Sequence, residues 1–165
     1  MSETPLRIRP ARSAEDLRAV RRLFGDYAAS LRVDLGYQDF AAELAGLPGK
    51  YGPPRGELLI GLRPTGEALG CVALRPLADG EAEMKRLYVA PSARGAGLGR
   101  ALVEAIIARA IELGYRRIKL DTLPQMTAAL ALYQAAGFAP VARFYDTPVE
   151  GTVFLALTLQ AGAGR

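Results

Sequence analysis

Three glycines, Gly95, Gly97 and Gly99, stand close together between an apolar, strand-like run and a helical pattern. Glycines in such a position let backbone amides approach a ligand without obstruction by side chains. The helix that follows presents unpaired N–H groups and the positive end of its dipole, and Arg94 and Arg100 add positive charge. The segment therefore predicts a site for a phosphate or pyrophosphate. The alternative is a tight connection in which the glycines serve packing alone.

Two familiar phosphate-binding loops do not match this segment. A P-loop requires G-x-x-x-x-G-K-[ST], and no glycine here is followed by lysine and a hydroxyl residue, so ATP or GTP hydrolysis is not expected. A dinucleotide fingerprint requires G-x-G-x-x-G, whereas Arg100 occupies the position of its third glycine. Asp121 does end the next predicted strand, as the acidic residue of an NAD site would. An NAD(P)-dependent enzyme therefore stays a weaker alternative.

The chain contains no histidine and a single cysteine, Cys71. The lack of histidine excludes Ser-His-Asp and Cys-His catalysis and His-containing zinc sites. Acid–base chemistry therefore falls to carboxylates, tyrosines or lysines, and no metal is expected. Cys71 cannot form an internal disulfide, which fits a reducing compartment and a buried structural thiol.

Charge and hydropathy limit the partners of the protein. The net charge is +4, and the basic residues are scattered rather than grouped with aromatic residues, which argues against nucleic acid. No apolar run approaches the ~18 to 20 residues that span a bilayer. The N-terminus lacks the apolar stretch of a signal peptide. We therefore expect a cytoplasmic protein, monomeric or homodimeric, without a membrane or nucleic-acid partner.

Hydrophobic periodicity predicts the elements that position the loop. The absence of repeats and long linkers predicts one domain over residues 1–165, with loose ends at 1–4 and 160–165. Ser13 and Asp16 form an acidic variant of the capping box before a helix over about 14–30. Further helices are predicted over 37–47, 98–113 and 126–138, and strands over LRIRP, ELLIGL, ALGCVALRPL, AEMKRLYV, RRIKLDT, FAPVARF and TVFLALTL. This order predicts a mixed α/β fold with the glycine loop inside a β-α-β unit.

The segment RGAGLG, read as Arg94-x-x-Gly97-x-Gly99, resembles the R/Q-x-x-G-x-G/A loop of the Gcn5-related N-acetyltransferases, the GNAT superfamily. The run EMKRLYVAPSARGAGLGRALVEAIIARAIELGYRRIKLDT, followed by LYQAAGF, is similar to that family's central strand, phosphate loop, helix, next strand and LYxxxGF helix, in order and spacing. The order of the earlier elements also fits. The resemblance implies a single-domain α/β (α+β) fold of about seven strands, mixed but mostly antiparallel, flanked by about four helices.

The resemblance implies acetyl-CoA as co-substrate and transfer of its acetyl group to a primary amine of a small molecule or amino acid, by direct attack on the thioester. In the family the pyrophosphate lies on the loop, which assigns it to the backbone of Arg94, Gly95, Ala96, Gly97, Leu98, Gly99 and Arg100. The pantetheine arm lies along the preceding strand, which assigns it to the backbone of Leu87, Tyr88 and Val89. Such contacts require an open strand edge, which the family provides by splaying this strand from the next.

The resemblance also implies two residues for proton transfer. Tyr133, in LYQAAGF, matches the family's tyrosine that faces the departing sulfur. Proton transfer from a phenol of pKa ~10 to a thiolate whose thiol has a pKa of ~8.5 is uphill by about 2 kcal/mol. Tyr133 could therefore either donate a hydrogen bond to the departing sulfur or transfer its proton completely, and both alternatives stay open. Glu83 resembles the glutamate that some members use as general base. Proton transfer from an alkylammonium of pKa ~10.4 to a carboxylate of unshifted pKa ~4.3 is uphill by about 8 kcal/mol. Glu83 therefore stays open as base, substrate contact or solvated turn residue, with Glu81 as the alternative base.

The acceptor pocket is the least determined part. The resemblance places it between the early helices and the late segment RFYDTPVEGT, which gives candidates by location alone: Arg32, Asp34, Tyr37, Tyr145, Asp146 and Glu150. Their mixed charges fit a small polar amine or an amino acid, and a peptide N-terminus is also compatible. Met126 stands where many members place an asparagine that contacts pantetheine. A non-catalytic module that senses acyl-CoA is a further alternative, against which the presence of Tyr133 argues.

Overall fold

A mixed sheet with helices on both faces forms the structure. This computed structural model describes residues 6–31 and 34–160, without the side chain of Tyr37. The strands are β1 (Arg7–Pro10), β2 (Glu57–Leu62), β3 (Ala68–Ala78), β4 (Glu81–Val89), β5 (Arg117–Thr122), β6 (Ala139–Pro140) and β7 (Val153–Thr158). Within the described residues the α-helices are α1 (Ala14–Leu31), α2 (Phe40–Ala45), α3 (Leu98–Glu112) and α4 (Thr127–Ala136).

The seven strands lie in the order β1-β2-β3-β4-β5-β7-β6. The pairs from β1 to β4 are antiparallel, as are β5–β7 and β6–β7. Strands β4 and β5 are parallel and are connected through α3. This confirms the predicted α/β fold, the antiparallel meander of β2 to β4 and the β-α-β unit around the glycine loop.

Two apolar cores lie on opposite faces of the sheet. One contains Leu102 and Ile106 of α3, packed with Met84 of β4. The other contains Phe24 of α1, with Cys71 of β3 fully buried in the same cluster. Burial of Cys71 confirms the structural thiol, and burial also raises its pKa well above the ordinary value. In the described part of the chain no helix is both long and apolar enough to cross a membrane.

Two elements are shorter than the sequence predicts. The helix predicted over 37–47 is divided into a 3-10 turn, Leu35–Gln38, and α2, because Asp39 between them has a left-handed φ of 58°. The strand predicted over FAPVARF is reduced to β6. Pro140 ends β6, and one further backbone hydrogen bond joins Val141 to β7 before the chain leaves the sheet.

The N-terminus of α1 has the predicted capping box. Ser13 Oγ accepts a hydrogen bond from the Asp16 amide at 3.0 Å, and Asp16 Oδ2 accepts one from the Ser13 amide at 3.3 Å. The buried Asp16 carboxylate also accepts two hydrogen bonds from the Arg9 guanidinium, at 2.7 and 3.0 Å. Arg9 holds the pKa of Asp16 well below its usual range, although burial opposes the shift.

We predict that Asp16→Asn lowers the free energy of unfolding at pH 7 by about 1 to 2 kcal/mol, because the cap and the ion pair are weakened. Since the folded-state pKa is lowered, the stabilisation is fully present above the ordinary Asp pKa of about 3.9 and is lost as the pH falls below it. The difference between wild type and variant should therefore shrink at pH 3. Urea unfolding followed by circular dichroism at both pH values measures this.

Asp26→Asn is the matched control. Asp26 lies on the same helix, but its side chain is 50% exposed and 4.0 Å from Arg22. This change should cost less than about 0.5 kcal/mol at either pH. A difference between wild type and Asp16→Asn that does not depend on pH would show that the carboxylate charge is not the stabilising feature.

Candidate functional site

The glycine loop connects β4 to α3 and has an open face. Gly95 and Gly97 have left-handed φ values of 87° and 86°, which side-chain-bearing residues rarely adopt. Gly97 is the N-cap of α3, and its carbonyl accepts from the Ala101 amide at 3.1 Å. The amides of the first helical turn therefore point out of the helix toward the loop. A Cβ on Gly95 or Gly97 would meet no atom within 4 Å, so there is room for a ligand.

The third glycine of the loop has a packing role. A Cβ on Gly99 would lie 3.0 Å from Cδ1 of Leu132, so the missing side chain lets α3 approach α4. Arg100 pairs with Glu104 at 3.0 Å on the exposed side of α3. The packing alternative considered for the loop thus applies to Gly99, whereas the other two glycines provide left-handed backbone.

Strands β4 and β5 separate after a short parallel contact. Their register comprises three pairs, which join 81–83 to 117–119. β5 stays paired with β7 as far as Thr122, so β4 is the strand that diverges. The described residues of β4 beyond Glu83 are paired with β3 alone, and their other edge faces a gap.

A β-bulge in β4 lies at the start of this gap. The register with β3 shifts by one residue, so that Arg86 and Leu87 together oppose one residue of β3. Arg86 has a left-handed φ of 64°, a conformation that costs roughly 1 to 3 kcal/mol outside glycine. Its buried guanidinium donates two hydrogen bonds of 2.9 Å to Glu43 of α2 and lies 5.0 Å from the ring centre of Phe40. These contacts hold the bulge against α2.

Backbone direction assigns Leu87 and Val89 to the open edge. The amide of Ala90 donates to a carbonyl of β3 at 2.7 Å. Alternate residues of a strand direct their backbone groups to the same neighbour, so Tyr88 also faces β3. Leu87 and Val89 face the gap, and there Arg94 Nε donates to the Val89 carbonyl at 3.1 Å.

Tyr133 is a buried residue of α4, 6% exposed. Its ring packs against Phe138 with centroids 5.7 Å apart. Burial, helped by nearby Tyr27 and by the charge of Asp121, raises the pKa of Tyr133 well above its ordinary value. A phenol with a raised pKa stays protonated and is a hydrogen-bond donor. The side chain therefore serves the core and is also suited to stabilise a developing negative charge.

A cavity of about 260 Å³ opens beside β4, on the face of the sheet that α2 covers. Its walls come from β3, β4, the segment before α2, α2 itself and the chain between β6 and β7. The lining residues are Gln38, Glu43, Arg75, Leu77, Glu83, Lys85, Arg86, Phe144, Tyr145 and Asp146.

Glu83 lies on the wall of this cavity and is 2% exposed. Arg75 Nε donates to its Oε1 at 2.9 Å, and Arg75 Nη2 lies 2.9 Å from the same oxygen. Its Oε2 lies 3.7 Å from Lys85 Nζ. This burial contradicts the alternative of a solvated turn residue, whereas the roles of base and of substrate contact stay predictions. Glu81 instead pairs with Lys119 at 3.1 Å, outside the residues that line the cavity.

Lys85 and Arg75 are site residues that our sequence analysis missed. Lys85 is buried, its ammonium donates to Gln38 Oε1 at 3.1 Å, and burial lowers its pKa although Glu83 opposes the shift. The sequence contained a signal: Glu81, Glu83 and Lys85 alternate with apolar residues in a strand with predominantly buried residues. Charges at period two place a polar face on that strand.

Two of the predicted acceptor residues line the cavity. Tyr145 and Asp146 both do so, and the Tyr145 hydroxyl donates to Asp121 Oδ2 at 2.8 Å. Asp146 is fully exposed at the rim and lies 3.8 Å from Arg143. Asp121 is the last residue but one of β5, so the residue first considered for an NAD site supports the cavity wall through Tyr145.

The other predicted acceptor residues have different positions. Asp34 is exposed and accepts a hydrogen bond from the Gly36 amide at 2.8 Å, which caps the 3-10 turn before α2. Glu150 lines a separate surface depression near the start of β7. Arg32 and the side chain of Tyr37 lie outside the described residues. Among the described side chains, no group of three or more His, Cys, Asp or Glu residues is arranged to hold a metal ion.

Comparison with known proteins agrees with this geometry. The sequence model of the Acetyltransferase (GNAT) family matches residues 18–138. An uncharacterized N-acetyltransferase of Schizosaccharomyces pombe (strain 972 / ATCC 24843) is 38% identical over 160 residues, which cover 96% of this chain and 98% of the relative.

Solved structures share the fold. An acetyltransferase of the GNAT family from Staphylococcus aureus Mu50 aligns with a TM-score of 0.79 at 17% identity, over 94% of this chain and 100% of that one. A GNAT superfamily phosphinothricin acetyltransferase from Sinorhizobium meliloti, in complex with AcCoA, aligns with a TM-score of 0.70 at 20% identity, over 97% and 91%. Because the family model matches most of the chain and a relative matches nearly its full length, this chain belongs to the GNAT family of acetyltransferases and is an N-acetyltransferase.

Proposed function

We propose that this enzyme transfers the acetyl group of acetyl-CoA to a primary amine of a small molecule or amino acid that binds in the cavity beside β4. The observation that supports this most directly is the sequence of features along one strand. Cavity residues occupy 83, 85 and 86, open-edge backbone follows at 87 and 89, and the glycine loop begins at 94. With the acceptor in the cavity, the pantetheine arm along the open edge and the pyrophosphate on the loop, the amine and the thioester would meet at the bulge.

The donor side of the chain fits acetyl-CoA. The first-turn amides of α3 and the left-handed backbone of Gly95 and Gly97 suit the pyrophosphate. The gap-facing backbone of Leu87 and Val89 suits the amide groups of the pantetheine arm. When bound, acetyl-CoA supplies the acetyl group and a thiolate leaving group. An NAD(P) site is set aside, because the family uses acetyl-CoA.

Tyr133 is the proposed donor to the departing sulfur. Its burial keeps the phenol protonated, and a preorganised donor in a buried site stabilises developing charge without reorganisation. Full proton transfer from a phenol with a raised pKa would be more uphill than from an ordinary one. We therefore propose that Tyr133 acts by hydrogen bonding. This also argues against a module that only senses acyl-CoA.

Glu83 is the proposed acceptor of the proton that the amine loses. Its carboxylate lies on the cavity wall, one step along the strand face from Lys85. Arg75 holds Oε1, so Oε2 is the oxygen directed to accept, either from the amine or from a water between them. The single free and buried Cys71 fits the reducing conditions of the cytoplasm, where we propose that the enzyme acts.

Gly97→Val should weaken acetyl-CoA binding at least about 10-fold, because the branched side chain intrudes on the phosphate path and disfavours the left-handed backbone. Gly114→Val is the matched control: Gly114 follows the other end of α3, has a φ of 90° and is equally open. Both variants should lose similar stability, but only Gly97→Val should lose affinity. Isothermal titration with acetyl-CoA measures this, and equal affinities in the two variants would place the phosphates elsewhere.

Tyr133→Phe should lower kcat by about 100-fold, since the donor to the sulfur is removed, with acetyl-CoA affinity within about 3-fold of wild type. Tyr115→Phe is the control, because Tyr115 is equally buried and donates to the Arg55 carbonyl at 2.7 Å away from the cavity. It should lose stability without losing turnover. Thiol release gives kcat, and an unchanged kcat in Tyr133→Phe would remove this residue from the mechanism.

Glu83→Gln should lower kcat by about 100-fold, with a smaller change in the KM of the amine, if Glu83 takes the proton. A raised KM at constant kcat would instead make Glu83 a substrate contact. Glu81→Gln is the control on the same strand face and also tests the alternative base. A larger fall of kcat in Glu81→Gln than in Glu83→Gln would transfer the role to Glu81.

A further inference from the structure

The charges that line the cavity are unevenly compensated. Among the described residues, three cationic side chains line it, Arg75, Lys85 and Arg86, and two carboxylates face them, the buried Glu83 and the partly buried Glu43. A buried charge without full compensation is costly, because burial removes its hydration. The partners of each cation therefore indicate where a negatively charged ligand group would compensate it.

Arg86 is fully compensated. Its guanidinium and the Glu43 carboxylate form two parallel hydrogen bonds of 2.9 Å, and both side chains are largely buried. A bidentate pair of this kind satisfies the main charge of both partners. Arg86 thus maintains the bulge and leaves little positive charge for a ligand.

Arg75 and Lys85 share a single carboxylate. Two N–H groups of Arg75 contact one oxygen of Glu83, and Lys85 Nζ lies 3.7 Å from the other, beyond hydrogen-bond distance. The neutral Gln38 provides the 3.1 Å contact of the ammonium. Burial lowers the pKa of Lys85, although the charges of Glu83 and Asp121 oppose the shift. This part of the wall has one more positive than negative charge.

The two remaining carboxylates nearby have other partners. Asp121 accepts the Tyr145 hydroxyl at 2.8 Å, and its charge acts on Lys85 without a contact in the described structure. Asp146 is fully exposed at the rim and 3.8 Å from Arg143, so solvent screens it. The excess positive charge between Arg75 and Lys85 therefore faces the cavity.

We propose that Arg75 and Lys85 bind a carboxylate of the acceptor, so that the substrate is an amino acid or another small amine with an acidic group. This inference rests on the proposed acetyl transfer to an amine in the same cavity. Guanidinium and ammonium donors form strong, charge-assisted hydrogen bonds with carboxylates. The Arg75 side chain is 31% exposed, so the edge turned away from Glu83 is accessible to a ligand.

The size and position of the cavity agree with such an acceptor. Its volume of about 260 Å³ is at or below the lower end of the range for small-molecule pockets, which favours a compact ligand. Lys85 directly precedes the bulge, where the open edge of β4 begins. A carboxylate held by Lys85 and Arg75 would leave the amine of the same small molecule free to point along β4 toward the thioester.

The test compares acceptors that differ in the acidic group alone. Thiol release at saturating acetyl-CoA gives kcat/KM for each acceptor and for its carboxamide. The acceptors are the proteinogenic amino acids, β-alanine and γ-aminobutyrate. Taurine and aminomethylphosphonate distinguish a carboxylate site from a general anion site. We expect the acid to exceed its amide in kcat/KM by about 10-fold or more for the preferred acceptor.

Two single variants then test the residues. Arg75→Gln and Lys85→Met should each reduce the acid-to-amide ratio of kcat/KM to about 3-fold or less. Because Arg75 also holds Glu83, a fall in kcat that acid and amide share does not change this ratio. Arg117→Gln is the matched control. Arg117 is a partly exposed arginine of β5 and lies outside the cavity lining, and its guanidinium pairs with the Glu81 carboxylate at 3.4 Å. It should preserve the ratio. If Lys85→Met does not fold, Arg75→Gln tests the site alone.

The outcomes separate this inference from the proposed function. If the enzyme acetylates amines but the carboxamides have a kcat/KM equal to or higher than that of the acids, the carboxylate site is overturned and amine acetylation stands. An acid preference that persists in Arg75→Gln would also overturn it. Absence of thiol release with every amine, despite acetyl-CoA binding, would instead contradict the proposed function. A sulfonate or phosphonate preferred over all carboxylates would overturn the carboxylate assignment in favour of another anion.

Discussion

The parallel contact of β4 and β5 is limited to three residue pairs, and the rest of the site depends on that limit. A sheet strand with one unpaired edge exposes backbone donors and acceptors that require partners. Here the exposed edge lies between a cavity and the N-terminus of a helix. The gap that interrupts the sheet is therefore also the space in which we propose that the pantetheine arm lies.

The gap is stabilised from the α2 side. The Arg86–Glu43 pair holds the bulge of β4, where a non-glycine residue has left-handed backbone. A residue in that conformation persists only when surrounding contacts determine it. A largely buried ion pair stabilises the bulge. The divergence of β4 from β5 is therefore a property of the native state rather than a result of ligand binding.

The two faces of β4 have opposite chemistry. Ala82 and Met84 pack in the core beneath α3, while Glu83 and Lys85 carry charges into the cavity on the other face. Buried charges are weak stabilisers, because desolvation offsets much of their attraction. Their presence in a strand that is otherwise a core element therefore supports the proposal that they recognise a charged substrate.

What the sequence determined by itself was local: the capping box of α1, the period of each strand and helix, and the left-handed glycines before α3, which only backbone without Cβ adopts readily. Of these features, the glycine loop, through its family resemblance together with LYQAAGF, predicted the donor side. The proposed acceptor cavity was decided by tertiary structure, because Gln38, Arg75, Lys85 and Tyr145 come from distant segments and meet only when the sheet forms. Which cations share a single carboxylate depends on those distances, and no spacing along the chain records them.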